Sequence, residues 1–226
     1  LECLGVRLDL TPEQAEAVLE QTGMCFLFAP AYHSSMKYAA PVRREIGIRS
    51  IFNILGPLSN PANASMQLLG VYSRKLVQPL AQVLANLGVT RGMAVCGGDG
   101  LDEATLTGPT HVCEIRFGEL TSYDITPKEL GLSPCAPEDL KGGTPEENAQ
   151  ITRDILSGTL TGPKKDVVVL NSALSLYLGT DHCTVRDCIR TARELIESGA
   201  AFQKMEEFAA ASRMAAGEEK GTDDSG

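Results

Sequence analysis

The sequence contains no uninterrupted apolar run of about 18 residues, the length that a membrane-spanning helix requires, so we expect no membrane partner. Its first residues also lack the basic segment and apolar stretch of a secretory signal peptide. Positive charge is scarce, because 20 Lys and Arg stand against 29 Asp and Glu, a formal net charge of −9. An acidic surface repels phosphate backbones, and we therefore expect no nucleic-acid partner.

Several catalytic signatures are missing as well. The chain has no G-x-S-x-G nucleophile elbow, no Walker phosphate loop, no H-E-x-x-H zinc motif and no Rossmann fingerprint. His111 and His182 have no sequence neighbours that suggest catalysis, and we interpret both as structural.

The seven cysteines include no C-x-x-C pair, so the usual spacing of a zinc site is absent. Their number is odd, and the closest two are Cys183 and Cys188. Several lie in apolar runs, as Cys25 does in residues 24–28 (MCFLF). Buried, reduced thiols are typical of proteins from reducing compartments, so we expect a cytoplasmic protein.

What the sequence does contain is the composition of an ordinary globular protein, with 226 residues of which 43% are hydrophobic and 22% charged. This length allows one large domain or two small ones. We expect one α/β domain over residues 1–215. A disordered tail is expected over residues 216–226, which are small and charged.

Capping patterns and apolar periodicity predict the helices. Residues 11–14 (TPEQ) and 144–147 (TPEE) are capping boxes with proline at the first helical position, and the second helix should run to Gly158. The remaining helices are expected over residues 41–55, 75–87, 164–178, 184–198 and 201–213.

Short apolar runs bounded by turn residues predict strands over residues 25–28, 67–72 and 92–96. Residues 112–117 and 120–125 alternate around Gly118-Glu119, which is typical of a hairpin. A helix separates the strands at 67–72 and 92–96, so this stretch predicts a β-α-β unit with parallel strands. The expected fold class is α/β, with a mixed, partly parallel central sheet flanked by helices.

A glycine-rich acidic segment, residues 97–103 (GGDGLDE), directly follows the predicted strand 92–96. It should therefore lie at the carboxyl end of that strand, where open α/β sheets place ligands. Three carboxylates within five residues repel one another unless a cation or a basic group lies among them, and such oxygens suit Mg²⁺. The alternative is an acidic turn built on Asp99-Gly100, and spacing alone leaves both interpretations open.

A basic segment lies upstream, in an otherwise acidic chain. Guanidinium groups suit bidentate capture of a carboxylate or phosphate, and Arg43 lies near the start of the predicted helix 41–55, where free backbone N–H groups also attract anions. The alternative is a solvated helix face paired with Glu45 and its neighbours, which we favour for Arg44. The basic residues of this segment are His33, Lys37, Arg43, Arg44 and Arg49.

These two segments resemble the anthranilate phosphoribosyltransferase family, which is related to the pyrimidine nucleoside phosphorylases. The resemblance rests on H-x-x-M-K at residues 33–37, PVRREIG at 41–47, FN-x-LGPL-x-NP at 52–61 and GLDE at 100–103. It extends along the whole chain, including VLNSA at residues 169–173 and ESGAA at 197–201.

The resemblance implies transfer of the phosphoribosyl group from 5-phosphoribosyl 1-diphosphate to anthranilate, with release of pyrophosphate, in tryptophan biosynthesis. It implies that Arg43 contacts the anthranilate carboxylate and that His33 and Pro57 line the anthranilate channel. It implies further that Asp102 and Glu103 bind a Mg²⁺ ion that engages the diphosphate. No covalent nucleophile is needed, and the full-length enzyme is expected to be a homodimer.

The chain departs from the family pattern in one respect. The first phosphate loop of the family, G-T-G-G-D, and its K-H-G-N-R motif precede the stretch that matches Leu1, and neither occurs here. Most of the small helical domain that carries dimerisation in the family is missing too. The chain thus resembles a carboxyl-terminal portion with one wall of a two-walled site, and we expect it to turn over little or no substrate alone.

Three alternatives to this interpretation remain. A pyrimidine nucleoside phosphorylase would use inorganic phosphate and a nucleoside, although the Arg43 segment and the Asp102-Glu103 pair favour the transferase. A non-catalytic relative would bind nucleic acid, which the net charge of −9 disfavours. The last alternative is a stand-alone binding module that is active only with a partner chain supplying the missing phosphate loop.

Overall fold

The computed structural model describes residues 1–32 and 56–217. Four of the predicted helices are confirmed to within two residues, and the one that begins after Thr144 ends at Leu156 rather than Gly158. The predicted helix 41–55 lies outside the described residues, as does the expected tail beyond residue 217. The α-helices are α1 (Pro12–Thr22), α2 (Ala29–Tyr32), α3 (Arg74–Asn86), α4 (Pro145–Leu156), α5 (Pro163–Gly179), α6 (Val185–Glu197) and α7 (Ala200–Ala215).

Reciprocal side-chain caps fix where three of these helices begin. Thr11 and Gln14 form the capping box of α1, and Thr144 and Glu147 form that of α4, as the sequence predicts. A third box, which was not predicted, joins Thr184 to Asp187 at the start of α6. Each box satisfies backbone N–H groups that the first helical turn would otherwise leave without a partner.

The central sheet contains four strands, β1 (Met66–Gly70), β2 (Arg91–Gly97), β3 (Thr110–Arg116) and β4 (Glu119–Ile125), in the order β1-β2-β3-β4. β1 and β2 are parallel, while β2, β3 and β4 are antiparallel. The mixed sheet and the β1-α3-β2 unit confirm the predicted fold class. Phe117 and Gly118 join β3 to β4 with φ angles of 50° and 89°, the left-handed pair of a two-residue hairpin turn.

Helices cover both faces of the sheet, and all seven residues of β2 are consequently buried. On one face α3 packs against alternate residues of β1, β2 and β3. On the other face α5 and α6 form the larger core against Met93, Val95 and Val112. Residues of α5 and α6 in that core are Val169, Leu170, Ala173, Leu174, Leu178, Cys188, Ile189, Ala192 and Ile196.

The first 22 residues pack against the last described helix. The backbone N–H of Arg7 donates to Ser212 Oγ at 3.0 Å, and Gln14 Nε2 donates to the carbonyl oxygen of Ala215 at 2.7 Å. Between α1 and α7 lies a separate apolar cluster, so this contact joins residues about 200 positions apart by packing as well as by hydrogen bonds. The buried residues of the cluster are Val6, Leu10, Ala15, Val18, Phe208, Ala209 and Ala211.

The predicted strand over residues 25–28 is wrong. The structure has neither helix nor strand between residues 24 and 28, and the helical turn α2 follows. The run is not covered on both faces, because Met24, Phe26 and Phe28 are exposed and only Leu27 packs against the α1–α7 cluster. Apolar composition alone does not make a strand unless a neighbouring strand satisfies its backbone.

None of the helices in the described parts of the chain combines the length and the apolar character that crossing a bilayer requires.

Candidate functional site

The acidic segment forms a tight loop at the carboxyl end of β2. Gly97 N–H donates to the carbonyl oxygen of Leu101 at 2.9 Å, and Asp99 Oδ1 accepts from Leu101 N–H at 3.1 Å. Gly98 N–H donates to the carbonyl oxygen of Pro109 at 2.7 Å, which ties the loop to the residue before β3. The segment therefore has a defined shape and lies where ligands bind in α/β sheets.

The Asp99 carboxylate is used in hydrogen bonds that hold the loop together. Its Oδ2 accepts hydrogen bonds from the hydroxyls of Thr105, at 2.7 Å, and Thr107. Burial opposes ionisation of this carboxyl group, but the hydrogen bonds from Thr107, Thr105 and the backbone outweigh burial and lower its pKa. Of the three predicted acids, Asp99 fits the turn interpretation, which leaves Asp102 and Glu103 as the pair available to a ligand.

Replacing Asp99 with asparagine should destabilise the protein by about 1 to 2 kcal/mol at pH 7, because a charged acceptor of three hydrogen bonds is lost. The lowered pKa in the folded state means that the stabilisation is complete above about pH 4. It disappears as the pH falls through the folded-state value. Urea denaturation at pH 7, 4 and 3 measures the free energy of unfolding of the wild-type protein and of the variant. The difference between the two should shrink as the pH falls, and a constant difference would contradict this role.

Asp102 and Glu103 are both exposed, at the free edge of the loop. Desolvation by the surrounding protein raises the pKa of Glu103, and the carboxylates of Asp102 and Asp99 raise it further. The loop thus concentrates negative charge that a divalent cation would neutralise. Within residues 1–32 and 56–217, no three carboxylate, histidine or cysteine side chains lie close enough together to hold a metal ion by themselves.

Gly70, the last residue of β1, lets the loop lie against the sheet. A Cβ atom built on Gly70 would overlap the carbonyl oxygen of Asp102 and come within 2.6 Å of its carbonyl carbon. The loop that follows β2 therefore crosses the end of the neighbouring strand at backbone-to-backbone distance. Because β1 and β2 are parallel, this contact lies at the edge where both strands end.

Asn171 on α5, a residue that was not among the predicted site residues, fixes the backbone on the other side of the acidic pair. Its Oδ1 accepts from Ala104 N–H at 2.9 Å, and its Nδ2 donates to the carbonyl oxygen of the same residue at 2.9 Å. Nδ2 also donates to the carbonyl oxygen of Val167 at 3.0 Å. Ala104 directly follows Glu103 and is fully buried. An amide inside the apolar run 167–174 is the signal that could have identified it.

Pro57 lies apart from the acidic loop in the chain but is tied to β1, since its carbonyl oxygen accepts from Gln67 Nε2 at 3.0 Å. It lines a cavity of about 270 Å³ together with Tyr32 and five other described residues. The hydroxyl of Tyr32 is buried without a hydrogen-bond partner among the residues that the structure describes. His33 and Arg43, the other predicted substrate-binding residues, lie outside those residues.

The two remaining histidines lie elsewhere. His111 Nδ1 is 2.6 Å from Asp124 Oδ1 across the β3–β4 pair, and Arg74 Nη2 lies 3.8 Å from Asp124 Oδ2. This cluster lines a cavity of about 480 Å³ beside α3. His182 lies in the turn between α5 and α6 with a φ of 60°. Neither residue belongs to the acidic loop.

Comparison with known proteins gives the same result for sequence and structure. A family model described as "Glycosyl transferase family, a/b domain" matches residues 1–202. The anthranilate phosphoribosyltransferase of Ruminiclostridium cellulolyticum is 55% identical over 208 residues, which are 92% of this chain and 61% of that protein. That of Endomicrobium trichonymphae is 55% identical over 212 residues, 94% of this chain and 63% of its own length.

Among solved structures, anthranilate phosphoribosyltransferase from Thermus thermophilus is 41% identical, with a TM-score of 0.86 over 94% of this chain and 63% of its own. The Saccharomyces cerevisiae enzyme in complex with PRPP (5-phosphoribosyl 1-diphosphate) and Mg is 29% identical, with a TM-score of 0.84 over 94% of this chain and 61% of that one. The chain thus spans about three fifths of the length of the relatives that it matches.

Proposed function

Because this chain belongs to the glycosyl transferase family with the a/b domain, we propose that it forms the larger part of an anthranilate phosphoribosyltransferase. Such an enzyme transfers the phosphoribosyl group of PRPP to the amino group of anthranilate and releases pyrophosphate. The observation that carries the proposal is the exposed Asp102-Glu103 pair, held rigidly at the carboxyl edge of parallel strands while Asp99 is used within the loop.

Mg²⁺ is the cation that this pair would hold. Mg²⁺ commonly binds through one or two carboxylates plus phosphate and water oxygens, so two protein ligands suffice when the substrate carries a diphosphate. The like charges around Glu103 support that assignment. When bound, the ion neutralises negative charge on the departing diphosphate.

The protein residues contribute mainly by positioning. As the C1–O bond of the ribose breaks, positive charge develops on the sugar and negative charge on the leaving group. The close approach at Gly70 and the hydrogen bonds of Asn171 fix the backbone on both sides of Asp102 and Glu103, which limits where the two carboxylates can lie. The amino group of anthranilate is the nucleophile, and no covalent intermediate with the protein is required.

Replacing Asp102 with asparagine, or Glu103 with glutamine, should raise the Mg²⁺ concentration needed for half-maximal activity by about tenfold or more, because each change removes an anionic ligand. The test is a magnesium titration of enzyme activity in a joined protein, in which this chain is fused to the remaining portion of the Ruminiclostridium cellulolyticum relative. Glu119→Gln is the matched control, because Glu119 is an exposed carboxylate at the start of β4. Equal shifts in all three variants would contradict metal binding by the pair.

Arg43, His33 and Pro57 are proposed to surround anthranilate. A guanidinium group suits a carboxylate, and the cavity beside Pro57 and Tyr32 offers an apolar wall with one unpaired hydroxyl among its described residues. Arg43→Ala should raise the KM for anthranilate by about tenfold or more while changing the KM for PRPP little. Steady-state kinetics with each substrate varied in turn measures both constants, and equal increases would refute the role.

The experiment that tests the function is an assay of anthranilate fluorescence with PRPP and Mg²⁺. It is run on this chain alone and on the chain joined to the remaining portion of the Ruminiclostridium cellulolyticum relative. We expect little or no turnover from the chain alone and PRPP-dependent loss of fluorescence from the joined protein. Measurable turnover by the chain alone would contradict the expectation that the chain carries only one side of the catalytic cleft.

Phosphorolysis of thymidine by the joined protein, without consumption of anthranilate, would instead establish a nucleoside phosphorylase.

The proposal further includes a cytoplasmic location and a homodimeric full-length enzyme. It also includes one α/β domain over residues 1–215.

A further inference from the structure

The turn between α5 and α6 brings two thiols into contact. The Sγ atoms of Cys183 and Cys188 lie 3.3 Å apart, and both cysteines are free. Cys188 is buried in the main core, with 4% of its surface exposed, while Cys183 is only half-buried. One thiol of the pair is thus accessible to a solute, and the other is reached mainly through the first.

The geometry of the helix start produces this contact. Thr184 is the N-cap of α6, and its capping box with Asp187 fixes the first turn, with Thr184 N–H donating to Asp187 Oδ2 at 3.0 Å. Cys183 therefore occupies the position before the cap, and Cys188 the fourth helical position. These are the two positions whose side chains meet in a hydrophobic staple, and here both side chains are thiols.

The preceding turn is anchored as well. The buried guanidinium group of Arg91 donates to the carbonyl oxygens of Tyr177 and Thr180, at 2.9 and 3.0 Å, and pairs with Asp181 at 2.8 Å. The sulfur of Cys183 lies 3.7 Å from the carbonyl oxygen of Thr180. With the segment fixed on both sides of Cys183, the two thiols stay close, which gives an intramolecular reaction between them a high effective concentration.

We propose that Cys183 and Cys188 form a thiol–disulfide exchange site, which low-molecular-weight disulfides such as oxidised glutathione convert into an intrachain disulfide. The Cys183 thiolate attacks one sulfur of the oxidant, whose S–S bond breaks and releases one thiol. The Cys188 thiolate then attacks the Cys183 sulfur of the mixed disulfide and releases the second thiol. The protein loses two hydrogens, and the oxidant gains them as two thiols.

The order of the two steps follows from accessibility. Solvent reaches Cys183, whereas burial and the neighbouring Cys183 thiol raise the pKa of Cys188 to about 11. Cys188 therefore stays protonated until the mixed disulfide is next to it, and it acts as the resolving thiol. The product is a covalent staple between the turn and the first helical turn of α6.

Peptide mapping tests the proposal on the intact chain. The chain is incubated with oxidised glutathione, its remaining thiols are blocked with iodoacetamide, and it is digested with trypsin. Cleavage after Arg186 places the two cysteines on different peptides, residues 166–186 and 187–190. We expect these peptides to be recovered linked by a disulfide, and dithiothreitol should separate them. The oxidised protein should also melt about 5 °C higher.

Cys3 provides the matched control thiol within the same digest. It is exposed, and its Sγ lies 4.0 Å from a carboxylate oxygen of Glu146. We expect glutathione to remain on the Cys3 peptide, residues 1–7, and to be released from Cys183. Cys188→Ser should stop the reaction at the mixed disulfide on Cys183. If the wild-type protein retains glutathione on Cys183 as it does on Cys3, or yields no linked peptide, the proposal is wrong.

Discussion

Replacing Gly70 with alanine should displace the acidic loop and destabilise the protein by about 3 kcal/mol, because the new methyl group meets backbone rather than a flexible side chain. The carbonyl group of Asp102 has to move, and the carboxylates of Asp102 and Glu103 move with it. A displacement of that kind near reacting groups lowers a rate by about a hundredfold. Urea denaturation of the chain and kcat of the joined protein measure the two effects.

Gly108→Ala is the control for this substitution. Gly108 lies between the loop and β3, has no atom within 4 Å of the position that a Cβ would take, and does not adopt a left-handed φ. We expect its alanine variant to keep wild-type stability within about 0.5 kcal/mol. If the two variants unfold at the same urea concentration, steric exclusion at Gly70 is not what shapes the loop.

Asn171→Ala should be comparably severe, with a loss of about 3 kcal/mol, because it leaves the buried N–H and carbonyl groups of Ala104 without their amide partner. The same change should raise the Mg²⁺ concentration for half-maximal activity by about tenfold, the usual effect of removing a group that orients a metal ligand. A magnesium titration of the joined protein separates this effect from a simple loss of stability.

The chain supplies a close chemical control for this variant. Asn148 makes the same pair of hydrogen bonds to Gly143, with its Oδ1 accepting at 2.8 Å and its Nδ2 donating at 3.0 Å, but in an exposed position. Water can replace those bonds, so Asn148→Ala should cost less than about 1 kcal/mol and leave the magnesium titration unchanged. Equal losses for the two variants would show that burial does not govern the contribution of Asn171.

The features that the sequence predicted well are local ones. The capping boxes at Thr11 and Thr144 lie within four residues each, and the β1-α3-β2 unit follows from apolar runs and their spacing. The strand predicted over residues 25–28 failed because strand formation depends on a partner strand, which a run of apolar letters does not supply.

In the candidate site, too, local features were predictable and features that depend on distant residues were not. Its position after β2 was predictable, because a glycine-rich acidic segment follows a buried run. The sequence did not predict that Asp99 differs from Asp102 and Glu103. That difference depends on how the chain folds back to bring the hydroxyls of Thr105 and Thr107 onto Asp99. Asn171, 67 positions from Ala104, was beyond any spacing rule, because only the packing of α5 against the sheet brings the two together.

The pairing of α1 with α7 has a consequence for synthesis. Ribosomes add roughly 5 to 20 residues per second, so α1 emerges about 10 to 40 s before the helix that covers it. During that interval the apolar side chains of Val6, Leu10 and Val18 lack the neighbours that α7 later provides. The nascent chain therefore presents a hydrophobic segment suited to a holding chaperone, and closure of this long-range contact completes folding.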